Sequence, residues 1–203
     1  MTKVKLLFTG LLAATSFGLS SSLYAQMSTP SFYAGGSLGQ MKAKDACNGV
    51  LAAGLGCDDS DTAYRIFGGY QVNRNFAAEV GYAELGKATA SGVVSGVPQS
   101  GNWKARSWDI VAVGILPLSE QFSLLGKLGV ALWRLDSTLT PTGIGSVQQS
   151  PTGTSATYGV GGQYDFTQKV GMRLEWQKYK DVGNDAGVKS DVAVFSVGAL
   201  YKF

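Results

Sequence analysis

The sequence contains no histidine, which removes the commonest general base and the commonest metal ligand together. Most hydrolase and metal-enzyme mechanisms go with it. No G-x-S-x-G elbow is present. Glycine strings such as Gly159-Val160-Gly161-Gly162 sit in strand patterns, where no phosphate-cradling loop forms. The chain therefore reads as no enzyme, with no cofactor and no metal. Charge is also scarce: 15% of residues, against about 25% in an ordinary soluble domain. The net charge of +3 falls to +1 if Lys3 and Lys5 leave with a leader, so no basic patch points to nucleic acid. Proline is low at 5 residues. No apolar run reaches the roughly 20 residues a spanning helix needs. If this chain crosses a membrane, it does so with strands. Its 203 residues leave room for one main domain.

What is abundant is glycine, at 28 residues, and aromatics, at 11%. Glycine at that level without proline fits close-packed strands and tight turns. Residues 1–25 read as a secretory signal peptide. Lys3 and Lys5 form a positive start, the apolar run from Leu6 to Ala14 follows, and Leu23-Tyr24-Ala25 offers a cleavage point. An N-terminal membrane anchor is the competing reading, and the apolar run is short for it. The mature domain would be 26–203. Cys47 and Cys57, the two cysteines, lie in one short Gly/Asp/Asn-rich segment. In an oxidising compartment they read as a loop disulfide contributing ~2–3 kcal/mol. A metal site is the weaker alternative, since two thiolates do not complete a tetrahedral shell.

From about residue 32 the chain alternates between two textures. One is a stretch of about ten residues with period-2 apolar alternation, the length of a tilted transmembrane strand. The other is a polar, Gly-rich connector. Strands are expected at about 32–41, 62–72, 76–85, 103–116, 122–135, 156–166, 170–179 and 190–203. The connectors alternate long and short, the long ones at about 42–61, 86–102, 136–155 and 181–189. This predicts an all-β, eight-stranded antiparallel up-and-down transmembrane β-barrel, with short turns on the periplasmic side and external loops on the other. Strand 103–116 has two apolar faces. Placing Trp108, Ile110, Ala112 and Leu116 outward points Asp109 inward.

A soluble eight-stranded carrier barrel alternates as well, with the opposite polarity. Two features favour the membrane form. The polar faces carry Arg65, Glu79, Lys127, Arg173 and Glu175, mixed charges that can pair in a lumen just wide enough for side chains. Aromatics such as Phe32, Tyr70, Phe76, Trp108, Phe122, Tyr164, Trp176 and Phe203 fall near strand ends, as interfacial girdles require.

From Phe32 to Phe203 the chain resembles the OmpA-like outer-membrane β-barrel family. The likeness is carried by Phe67-Gly68-Gly69-Tyr70-Gln71-Val72-Asn73 running on to Glu79-Val80-Gly81-Tyr82, by Lys127-Leu128-Gly129 with Trp133-Arg134, by Arg173-Leu174-Glu175, and by the terminal Tyr201-Lys202-Phe203. The resemblance implies the outer membrane of a Gram-negative cell, with lipid and lipopolysaccharide around the barrel. It also implies periplasmic chaperones and a barrel-assembly machinery that reads Tyr201 and Phe203. It implies a luminal acid–base network able to gate a narrow pore by exchanging partners. Glu79 and Arg173 match one acid and one base of it, and Lys127 a further basic position. Gln163 and Val113 stand where the second acid and base belong. The simpler expectation is a structural network of Arg65, Glu79, Asp109, Lys127, Arg173 and Glu175. Members of the family carry a peptidoglycan-binding domain after the barrel. This sequence ends on the last strand, so cell-wall tethering is not expected. The expected function is that of a monomeric integral outer-membrane protein with a structural and surface role (adhesion or interaction) through external loops whose ligand is unspecified. The alternative is a narrow, low-conductance pore for ions or small solutes.

Overall fold

A computed structural model describes residues 31–44, 56–94, 97–141, 147–183 and 190–203. Residues 1–25 and Cys47 lie outside these, as does the Cys57 side chain, so the leader and the cysteine pair are not described. The described residues form strands and no helix. Eight are long: β1 (Ser31–Lys44), β3 (Ser60–Gln71), β4 (Phe76–Val94), β5 (Val97–Pro117), β6 (Phe122–Pro141), β8 (Thr152–Asp165), β9 (Val170–Val182) and β10 (Ser190–Lys202). Two have three residues, β2 (Gly56–Asp58) and β7 (Val147–Gln149).

Each long strand pairs antiparallel with its sequence neighbours, and β10 returns to β1, from Tyr33↔Lys202 to Lys44↔Asp191. The sheet is thereby a closed eight-stranded barrel with no free long edge. Three short turns join the strands at one end, and they share one construction. Val72, Leu118 and Phe166 each donate their N–H to the carbonyl four residues on, at 2.9 Å. The next residue, Asn73, Ser119 or Thr167, uses its side-chain oxygen to accept the N–H of Phe76, Phe122 or Val170, at 2.8–3.0 Å. Short polar side chains that bond nearby backbone in this way are the turn chemistry of such residues.

The two faces of the wall follow the alternation. Outward stand Leu38, Ile66, Val80, Ile110, Leu128, Val160, Leu174 and Phe195, all exposed. An apolar surface of this extent on a closed barrel suits hydrocarbon, not water. Rings collect at the short-turn end, with Phe32 against Tyr70, Tyr164 against Phe166 and Tyr201 against Phe203 at 4.8–5.3 Å. Higher on the wall Tyr82 meets Trp108 and Tyr158 meets Trp176. On β5 Trp108, Ile110 and Leu116 face out, and Asp109, Val111 and Val113 face in, as the sequence suggested.

The long connectors differ from expectation. The described residues of 86–102 and 136–155 are largely strand. β4 and β5 stay paired to Val94↔Val97, and β6 stays paired with β5 to Gln99↔Pro141. β2 adds to β4 and β7 to β6. A sheet of five strands therefore stands above the barrel on one side. Apolar alternation stops there, yet backbone pairing needs no such alternation. The change of regime is marked by a register shift between Glu84 and Lys87 in β4. Gly86 sits in it at φ +82°, and Lys87 N–H donates to Asp61 Oδ2 at 2.7 Å. A Cβ at Gly86 would also lie 2.9 Å from the Cβ of Asp61, so glycine suits this bulge on two counts.

Candidate functional site

The inward parity of five strands delivers six charged side chains to one level of the lumen. Arg65 comes from β3, Glu79 from β4, Asp109 from β5, Lys127 from β6, and Arg173 and Glu175 from β9. Three cations and three carboxylates balance to zero. Glu79 and Asp109 are fully buried, at 0% exposure. A buried charge is tolerated only when compensated, and each of the six has an ion-pair partner within the group.

Glu79 is the hub. Its Oε1 takes Arg173 Nη1 at 2.5 Å and the Tyr33 hydroxyl at 2.8 Å. Its Oε2 takes Lys127 Nζ at 2.7 Å, with Arg65 Nη1 at 3.5 Å. Lys127 turns also to Glu175, at 2.5 Å. Arg65 makes a fork on Asp109 through Nε at 3.1 Å and Nη2 at 2.6 Å. Such two-point arginine contacts fix orientation as well as charge. Gln163, standing where the related network has an acid, accepts from Arg173 at 3.2 and 2.9 Å. Val113, where a base would be, is buried in an apolar group with Phe67, Val111 and Leu125.

Every candidate luminal residue thus enters one cluster. Sequence reading missed its aromatic members. Tyr33 donates to Glu79, and Tyr179 donates to Asp109 at 3.4 Å. The Phe67 ring lies 5.0–5.5 Å from Arg65, Lys127 and Arg173, so three cations face one π-system. The signal was available in the parity of each strand: Phe67 follows Arg65 by two, and Tyr33 opposes the outward Phe32. Glycine leaves the space. A Cβ at Gly81 would come within 2.5 Å of Arg65 Nη2, and one at Gly69 within 2.2 Å of the Tyr33 ring. The other two candidates, Tyr201 and Phe203, are exposed on the outer wall at the short-turn end, their rings in contact.

Around the charges the lumen is unequal. Towards the short turns a cavity of about 660 Å³ opens, and Tyr33, Gln163 and Arg173 are among its lining residues. Beyond the charges lies a cavity of about 20 Å³, bounded by Arg65, Glu175, Gln177 and Tyr179, room for about one water. The lumen then closes on an apolar group containing Met41, Leu85, Trp133, Tyr179, Val182, Val192 and Val194.

Comparison with known proteins gives one consistent answer. Residues 28–203 match the family model described as the OmpA-like transmembrane domain. Outer membrane protein A of Salmonella typhi is 29% identical over 174 residues, 85% of this chain and 48% of that protein. Its counterpart in Klebsiella pneumoniae is 30% identical over 181 residues, 85% and 51%. The chain spans about half the length of these curated relatives. Among solved structures, OprG from Pseudomonas aeruginosa is similar at TM-score 0.57 and 16% identity, over 85% of this chain and 95% of that one. Neisserial surface protein A gives 0.56 and 17%, over 85% and 97%. Ail, the attachment invasion locus protein of Yersinia pestis, gives 0.52 and 18%, over 86% and 97%. At these identities the three show a shared fold.

Proposed function

We propose for this chain, which belongs to the OmpA-like transmembrane domain family and resides in the outer membrane, the role of a closed, non-enzymatic scaffold presenting a surface sheet outside the cell. The observation that carries this reading is the filled lumen: Glu79 and Asp109 are sealed from solvent in the middle of the barrel. The tall sheet of β4, β5 and β6 with its two short partners supports the second half, since function in such scaffolds lives in what they display. The short turns then lie in the periplasm and the tall strands outside. That Ail, of the same fold, is named for attachment agrees with a surface role. Export by a cleaved leader over 1–25, a Cys47–Cys57 disulfide in the first external connector, assembly through Tyr201 and Phe203, and a monomeric state complete the proposal.

A narrow pore is the second reading. It is favoured by the cavity of about 660 Å³ that leads from the short-turn end to Arg173. Single-channel recording of the refolded chain in a planar bilayer separates the two, with the folded barrel verified on an unheated gel. The scaffold reading expects a silent bilayer for wild type. Discrete openings that change in Glu79→Ala would establish a luminal path and replace it.

A further inference from the structure

On the outer wall the apolar rows end abruptly at the tall side, and at one place the ending is built as a groove. The lower row reads Tyr82, Trp108, Leu132 and Thr154 across β4, β5, β6 and β8; the register Tyr82↔Trp108, Trp108↔Leu132 and Leu132↔Thr154 puts them side by side. The row above reads Glu84, Arg106, Arg134 and Thr152 by the same pairings. Between the rows lies a groove of about 400 Å³ whose lining includes Trp108, Leu132, Arg106, Arg134, Thr152 and Thr154.

The two arginines are held from above. Asp136 accepts from Arg106 Nη2, and from Arg134 Nε at 3.1 Å, and is itself steadied by the Ser150 hydroxyl at 2.7 Å. One carboxylate for two guanidinium groups leaves a net positive charge at the groove. The neighbouring Lys104 and Glu84 cancel at 2.8 Å. The Arg106 and Arg134 side chains remain 41% and 57% exposed, and Arg106 Nε is without a hydrogen-bond partner among the described residues. Arginine is the side chain whose planar fork suits phosphate. Here it sits directly above an indole and a leucine at the edge of the apolar wall.

We propose that this groove is a binding site for a phosphorylated lipid of the outer leaflet, with its phosphate on Arg106 and Arg134 and its acyl part along Trp108 and Leu132. The chemistry required is an anionic phosphate joined to a hydrocarbon chain; in this leaflet the phosphorylated glycolipid supplies it. The assignment to the outer leaflet rests on the orientation proposed above. The binding itself does not, and lipid retention is read independently of conductance.

The test is retention of lipid by the folded, detergent-solubilised chain, counted by native mass spectrometry. Three probes are compared: bis-phosphorylated lipid A, the same lipid without phosphates, and inorganic phosphate. Lipid A alone should be retained, and R106Q/R134Q should weaken it about twenty-five-fold, two basic residues at a lipid surface contributing roughly fivefold each. Lys42→Gln, on β1 across the barrel, serves as the control and should change nothing. R106K/R134K should recover part of the binding, since charge returns without the fork. Equal retention of the dephosphorylated lipid overturns the proposal, as does undiminished retention by a folded R106Q/R134Q. Equal occupancy by inorganic phosphate alone would make this a free-anion site and remove the lipid.

Discussion

The charged middle of the lumen and its apolar outer part close the same barrel by opposite physics. In the middle, closure depends on six charges finding partners within 3.5 Å. Such a layer is costly to desolvate, and its net contribution to stability is small compared with the penalty for breaking it. In the outer part Leu85, Trp133, Val182 and Val192 close the lumen by apolar packing, joined by the ring of Tyr179. The first kind of seal can exchange partners without opening space; the second can open only by moving atoms apart. A gate confined to the charged layer would therefore still face a dry constriction on its outer side.

The largest effect should come from Glu79→Ala. It leaves Arg65, Lys127 and Arg173 with two carboxylates and strands the Tyr33 hydroxyl. A loss of about 3–5 kcal/mol is expected from an uncompensated buried charge, measured as a lowered urea midpoint for unfolding from lipid vesicles. Bilayers containing the folded variant should stay silent, because the apolar layer is intact. Leu85→Ala attacks that layer instead and should cost about 2–5 kcal/mol as a core truncation. It too should be silent alone, whereas the double variant should conduct. Conductance in either single variant would show that one layer suffices as the barrier. Gly81→Val is smaller. Its Cβ would lie 2.5 Å from Arg65 Nη2, displacing the fork from Asp109 at about 1–3 kcal/mol, the range for an overpacked core. Gly68→Val is its control, since the nearest atom to a Cβ there is 3.9 Å away, and its thermal midpoint should fall less.

How much of this was legible follows from which side of each strand meets a demanding environment. Trp108 and Asp109 declare their faces because one looks to hydrocarbon and the other cannot. The same alternation locates Arg65, Glu79, Lys127, Arg173 and Glu175 inside. It does not say who pairs with whom: Glu79 and Arg173 are 94 residues apart, and their meeting depends on barrel closure. Phe67 and Tyr179 were hidden for a different reason. An inward aromatic reads as filler until the cations around it are placed. The continuation of β4 through Val94 was illegible because residues 86–94 carry no period-2 apolar alternation, and backbone pairing needs none. Arg106 and Arg134 look in sequence like ordinary ends of strands, and only the register Arg106↔Arg134 makes them a pair.

The smallest expected effect is also the sharpest probe of the comparison. Gln163→Glu places a carboxylate where the related network has an acid. Arg173, now accepted by Gln163 at 2.9 Å, would gain a charged partner in competition with Glu79. Against that gain, Gln163 loses the N–H it donates to Asp165 Oδ1 at 2.9 Å, and two acids come to face each other there. Lys202, already on Asp165 at 2.7 Å, offsets part of the repulsion. A charge-assisted hydrogen bond gained and a neutral one lost, with a like charge added, leave a net change within about 1 kcal/mol. The unfolding midpoint should hardly move. What changes is that Arg173 acquires two carboxylates to choose between, the element that partner exchange needs. If single-channel records of this folded variant stay silent, exchange in the charged layer is insufficient to open the lumen, and closure belongs to Leu85, Tyr179 and their neighbours. If they show openings, the apolar layer yields whenever the charges are free to rearrange, and the two seals act as one.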